Sequence, residues 1–128
     1  MQILGVGVDI VDKSRIKKSL KNKLFIKRIF TNSEILLAKN KKDKITFYAN
    51  RFAAKEAFSK SIGTGFRNDL NFRDLSIKND KLGKPLFVIT NKLKEIIKKK
   101  FEISKFNFFL SISDEKKYSI AYAIFQKK

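Results

Sequence analysis

From Ile45 to Ile62 the chain runs ITFYANRFAAKEAFSKSI without a glycine or proline, and Gly63 follows at once. This spacing predicts one long helix ended by a left-handed glycine. At 100° per residue, Ile45, Ala49, Phe52 and Ala53 fall within about 60° of Glu56. A carboxylate therefore lies in the stripe expected to face the core, where an ionised group is costly unless it is paired, hydrogen-bonded or bound to a cation. Lys60, one turn on, offers a partner, but such a pair contributes only about 0.2–0.5 kcal/mol. The plainer alternative puts Glu56 at the stripe's edge, reaching water.

The segments around this helix are short. Ile3 to Val11 (ILGVGVDIV) reads as a buried strand, apolar on both faces. Asp12 is placed to cap a helix through Leu20, and Phe25, Ile26, Ile29 and Phe30 mark a second. TNSE, Thr31 to Glu34, is a capping box that opens a third. Phe72 to Lys78 reads as a strand, joined by the turn residues NDKLGKP to a strand at Leu86 to Ile89. Leu93, Ile96, Ile97 and Phe101 form the apolar face of a helix whose other face is lysine. Asn107 to Ser113 and Tyr118 to Phe125 form a hairpin around DEKK. There is no internal repeat and no linker. The expectation is a single α+β domain over residues 1–128, with a long central helix packed on an antiparallel sheet.

Residue types narrow the chemistry. The chain has no cysteine, which excludes disulfides and thiolate metal sites. It has no histidine, which excludes imidazole catalysis and imidazole ligands. No apolar run approaches membrane-spanning length. The N-terminal MQILGVGVDI lacks the features of a signal peptide, so a soluble cytoplasmic protein without a membrane partner is expected. Thirty Lys+Arg against 12 Asp+Glu give a net charge of +18 and point to a polyanionic partner. Only five of the thirty are Arg, and the abundance of Lys, Asn, Ile and Phe also fits codon bias. The 13 Phe and 3 Tyr would suit a basic nucleic-acid-binding module. They fall on core positions, however, and no RRM, KH or zinc-finger signature appears, so a nucleic-acid partner is not expected.

Asp9 repeats the anomaly of Glu56. It stands in the most apolar stretch, and Asp12 serves better as the helix cap. Two acidic groups embedded in apolar sequence suggest a shared divalent cation, and without His or Cys a hard, oxygen-liganded Mg2+ is the natural candidate. Two unrelated peripheral carboxylates are the alternative. Gly5 and Gly7 weaken a strand and mark close approach by a backbone or ligand. In SKSIGTG, Gly63 and Gly65 read as cap and turn, while their bare N–H groups also suit a phosphate.

GVGVDIVDKSRI, FTNSEI, RFAAKEAFSKSIGTG, the GKP turn and FLSIS together resemble the holo-acyl-carrier-protein synthases, the small phosphopantetheinyl transferases. The likeness covers nearly the whole chain in the expected order. It implies that phosphopantetheine moves from coenzyme A to a serine of apo-acyl-carrier-protein, with release of 3′,5′-ADP, and that the assembly is a homotrimer with active sites between subunits. The family's metal-binding residues match Asp9 and Glu56, and its phosphate-side lysine matches Lys60. Its coenzyme A contacts match Ser59, Gly63, Thr64 and Gly65, with Arg51 and the turn Gly83, Lys84 and Pro85 near the nucleotide. Arg15 and Arg28 match its carrier-protein surface, where basic charge would attract an acidic partner. One strand departs from the pattern. The family's strand near the C-terminus resembles HVSLSH, and here Phe109 and Asp114 stand in place of the histidines. That leaves cation-bound water, or a carboxylate acting through water, as the base. It also leaves a catalytically impaired relative as an alternative. The aromatic strand residues Phe106, Phe108, Phe109, Tyr118, Tyr122 and Phe125 exceed what a monomer obviously needs and point to assembly.

Overall fold

In the computed structural model, residues 1–66 and 70–128 are described. The elements run β1 (Gln2–Asp12), α1 (Lys13–Ser19), α2 (Lys23–Ile29), α3 (Asn32–Ala38), α4 (Lys44–Ile62), β2 (Leu75–Asn79), β3 (Pro85–Ile89), α5 (Asn91–Phe101), β4 (Phe106–Asp114) and β5 (Tyr118–Lys127). The expected α+β architecture is present. One antiparallel sheet has the order β1-β5-β4, β2 and β3 pair separately, and α4 packs along β1 and β5. No helix among the described residues is long and apolar enough to cross a membrane.

Local chemistry sets the element ends. Asp12 Oδ1 accepts from the Ser14 N–H at 2.8 Å and caps α1. Thr31 and Glu34 form the reciprocal capping box of α3, and Gly63 ends α4 at φ 75°. Phe72–Asp74 is a 3-10 turn, so the strand expected from Phe72 begins only at Leu75. Asp74 explains the shift, because its carboxylate accepts from the Asn71 N–H at 3.2 Å and closes the turn.

Gly5 and Gly7 belong to the packing of α4 on β1. A Cβ on Gly5 would fall on the Ser61 carbonyl oxygen, and one on Gly7 on the Ala57 carbonyl oxygen. The close approach is therefore helix backbone on strand backbone. Gly7→Ala is expected to cost roughly 1–3 kcal/mol through overpacking, read as a lower midpoint in urea unfolding with an unchanged slope.

Three expectations need correction. First, α4 has no single core-facing stripe. Arg51, Ala53, Ala54, Lys55, Ala57, Phe58 and Ser59 are all buried, because strands lie on one side and α1, α3 and β2 on the others. Glu56 is only half-buried. Second, β1 is not covered on both faces. Val6, Val8 and Ile10 are 52–60% exposed. They pair across the sheet with Ile124, Tyr122 and Ile120. Together with Phe109 they form an open apolar face, and Ile120, Tyr122 and Phe109 are 40–47% exposed. Third, Phe106, Phe108 and Phe125 are not spare surface. They pack with Phe58, Leu93 and Ile97 in a core beneath α5, and the Phe108 and Phe125 rings stack at 4.7 Å.

Candidate functional site

β1 and α4 carry the two anomalous carboxylates to one place. Asp9 and Glu56 line a cavity of about 450 Å³ with Asp12, Arg15 and the apolar walls Ile16, Phe25 and Phe52. Lys60 donates to the Val8 carbonyl at 3.0 Å and to Asp9 Oδ1 at 3.1 Å. The Glu56 carboxylate makes no hydrogen bond or ion pair among the described residues. Its sequence neighbour Lys60 has taken Asp9 instead. Burial pushes the Asp9 carboxyl above its usual range, with Lys60 opposing. Burial also raises Glu56, and the charge of Asp9 raises it further, again against Lys60. Two carboxylates that repel each other at one cavity, balanced by one ammonium, could together hold a hard cation. No cluster of three such ligands occurs among the described residues, so water and substrate oxygens would complete the shell, as Mg2+ prefers.

The other candidates fall elsewhere. Arg51 Nη2 donates to Asn79 Oδ1 at 3.2 Å, and Asn79 Nδ2 donates to the Gly83 carbonyl at 2.8 Å. Arg51, Gly83 and Pro85 thus share a smaller cavity, about 180 Å³, with Asn50 and Asp114. Lys84 is exposed, and its N–H donates to Asp80. The two cavities have no residue in common, since Arg51 and Glu56 point about 140° apart on the helix. Ser59 is buried, and its hydroxyl donates to the Glu56 carbonyl at 2.8 Å. Gly63 and Gly65 both hold left-handed conformations just beyond α4, with the Thr64 hydroxyl donating to the Gly65 carbonyl. Arg28 is exposed on α2.

A family model described as the 4′-phosphopantetheinyl transferase superfamily matches residues 5–123. The chain belongs to this superfamily. The phosphopantetheinyl transferase fold expected from the sequence is the one observed. A curated relative from Pelagibacter ubique, a holo-[acyl-carrier-protein] synthase, is 70% identical over 128 residues, covering 100% of both chains. The holo-[acyl-carrier-protein] synthase structure from Neisseria meningitidis superposes with a TM-score of 0.88 at 38% identity, over 98% of this chain and 99% of that one. The Bacillus anthracis enzyme, solved in complex with coenzyme A (3′,5′-ADP), gives 0.84 at 34% identity, with 100% of each chain covered. This phosphopantetheinyl transferase is accordingly an enzyme, and the resemblance read from its motifs holds.

One feature of its core escaped the sequence. Glu34, known there only as half of a capping box, is fully buried beside fully buried Lys55. Lys55 donates to Glu34 Oε1 at 2.7 Å and to the Ile29 and Phe72 carbonyls at 2.7 and 3.1 Å. Glu34 Oε2 accepts from the Ile77 N–H at 3.0 Å and lies 3.8 Å from Arg51 Nε. Burial lowers the Lys55 ammonium and Glu34 opposes it. The signal was a lysine flanked by alanine and glutamate on a helix that is buried nearly all round.

Proposed function

We propose that the chain transfers 4′-phosphopantetheine from coenzyme A to a serine of apo-acyl-carrier-protein, with Mg2+ at Asp9 and Glu56. The observation that carries this is the pair of mutually repelling carboxylates, one without a partner among the described residues, at a cavity in a chain matched to this family over nearly its whole length. When bound there, the cation would neutralise pyrophosphate charge and polarise the phosphorus–oxygen bond.

The protein's own groups do the rest by positioning and charge. Asp9 and Glu56 would hold the cation and, through it, set where the pyrophosphate lies. Lys60, 3.1 Å from Asp9 Oδ1, offers its ammonium to charge developing on the transferring phosphate. The carrier serine oxygen forms the new bond to the phosphorus that bears pantetheine. The bond to 3′,5′-ADP breaks, and the serine proton leaves to water or a carboxylate, since no histidine exists. Gly63 has nothing within 4 Å of where a Cβ would stand, which leaves room for a phosphate close to the backbone. Incubation with coenzyme A, Mg2+ and an apo carrier protein tests the reading by intact mass. A gain of one phosphopantetheine is expected, and an unchanged mass with several carriers overturns it.

Arg15 stands at the carboxylate cavity, and Arg28 is exposed on the neighbouring helix. We assign them to an acidic face of the carrier. Replacing each with Glu is expected to raise the carrier KM through slower association, and at Arg28, outside the cavity lining, to leave the coenzyme A KM unchanged. A higher coenzyme A KM there instead would show that the face is misassigned.

The nucleotide-side cavity at Arg51 and Gly83 lies apart from the carboxylates in one chain. The open apolar face, whose Ile10 and Tyr118 also line the carboxylate cavity, supports a closed assembly in which a neighbouring copy completes the site. A homotrimer is the expected mass by light scattering at micromolar concentration, and a monomer would refute it.

A further inference from the structure

Lys60 spends two of its three N–H donors on β1, at the Val8 carbonyl and Asp9 Oδ1. Those bonds anchor the ammonium to the strand and fill part of Asp9's capacity as an acceptor. The side chain remains 53% exposed while that of Asp9 is 15% exposed, so the lysine head can leave toward solvent whereas the carboxylate stays in place. Glu56, one turn earlier on the same helix, has no partner among the described residues to lose. The two carboxylates are therefore unequal, one occupied by an internal cation and one open.

We propose that Lys60 and a divalent cation exclude one another at Asp9, so that loading the cation site releases Lys60 from β1. This rests on the cation site of the proposed function. Two positive groups cannot share one half-buried carboxylate oxygen without strong repulsion. A cation held by Asp9 and Glu56 would meet the Lys60 ammonium, which stands 3.1 Å from Asp9 Oδ1, and the ammonium is the more exposed and therefore the mobile group. Once released, Lys60 has all three donors available to a phosphate. Cation loading and phosphate binding then favour each other reciprocally. The lysine serves as counter-ion to Asp9 first and to the substrate afterwards.

The test uses the full chain without coenzyme A. Mn2+ is titrated calorimetrically into wild type and Lys60→Met. The variant is expected to bind roughly two- to five-fold more tightly, the scale of a half-exposed ion pair. Through-space charge alone would also tighten binding, so a second readout is needed. Acetylation of Lys60 by an N-hydroxysuccinimide ester, followed by peptide mass spectrometry, is expected to speed up several-fold when Mn2+ is added. Asp9→Asn should acetylate at the fast rate with or without the metal. Tighter binding by Lys60→Met with metal-indifferent acetylation would overturn displacement, as would equal Mn2+ affinity in the two proteins. Binding by neither protein would overturn both this inference and the cation site itself.

Discussion

Alanine at Asp9 or at Glu56 is expected to remove most transfer, on the order of 10²–10³-fold in kcat, the scale seen when a charge-stabilising group is lost. The double variant should be scarcely slower than either single one, because both carboxylates serve one ion. Two independent peripheral carboxylates would instead give multiplying losses or none. Protonation should act as a milder form of the same change. Both carboxyls lie above their ordinary range, Asp9 by burial and Glu56 by burial and the Asp9 charge. Cation binding requires their ionised forms, so Mg2+ affinity should fall as pH drops through those raised values, earlier than for exposed carboxylates. The sign for stability is the reverse. A folded-state carboxyl that holds its proton more tightly than the unfolded chain stabilises the fold below the unfolded value and loses that contribution as pH rises through the folded one.

Lys55→Met should cost roughly 3–5 kcal/mol in unfolding free energy, because it leaves the Glu34 carboxylate buried without its ammonium. The methionine fills similar volume, so the loss would be chiefly electrostatic. Arg51, 3.8 Å away, compensates only in part. Removing both charges with Glu34→Gln and Lys55→Met should recover a large share, although Ile77 and Thr31 would keep weaker acceptors for their N–H groups. Chemical denaturation of the single and double variants measures this. A loss under about 1 kcal/mol for Lys55→Met would mean that water reaches the pair.

The long helix, its glycine end, the capping box and the terminal hairpin were legible because each rests on local chemistry within a few residues. Asp9 and Glu56 were legible for another reason: each broke an apolar context, and an expensive group needs a partner. Burial around α4 was not legible, because it depends on which elements close over each side. Glu56 thus looked more buried than it is, and Lys55 went unnoticed although it is the more deeply buried of the two. The same blindness to the third dimension put Phe106, Phe108 and Phe125 among surface residues, while Val6, Val8 and Ile10 looked covered. Alternation along a strand tells which side chains share a face, but not whether that face meets a helix or remains open.

In the proposed reaction, Glu56 and Asp9 together would hold the cation that binds the substrate pyrophosphate. Thermal unfolding of wild type and Glu56→Gln, each with coenzyme A and with or without Mg2+, addresses this most directly. Glu56→Gln keeps the shape and drops the charge, and in the absence of Mg2+ it should be as stable as wild type or slightly more so, since a repulsion is relieved. Adding Mg2+ should raise the midpoint of wild type well above that of coenzyme A alone and leave Glu56→Gln almost unmoved. An equal Mg2+-dependent rise in both proteins would contradict the account.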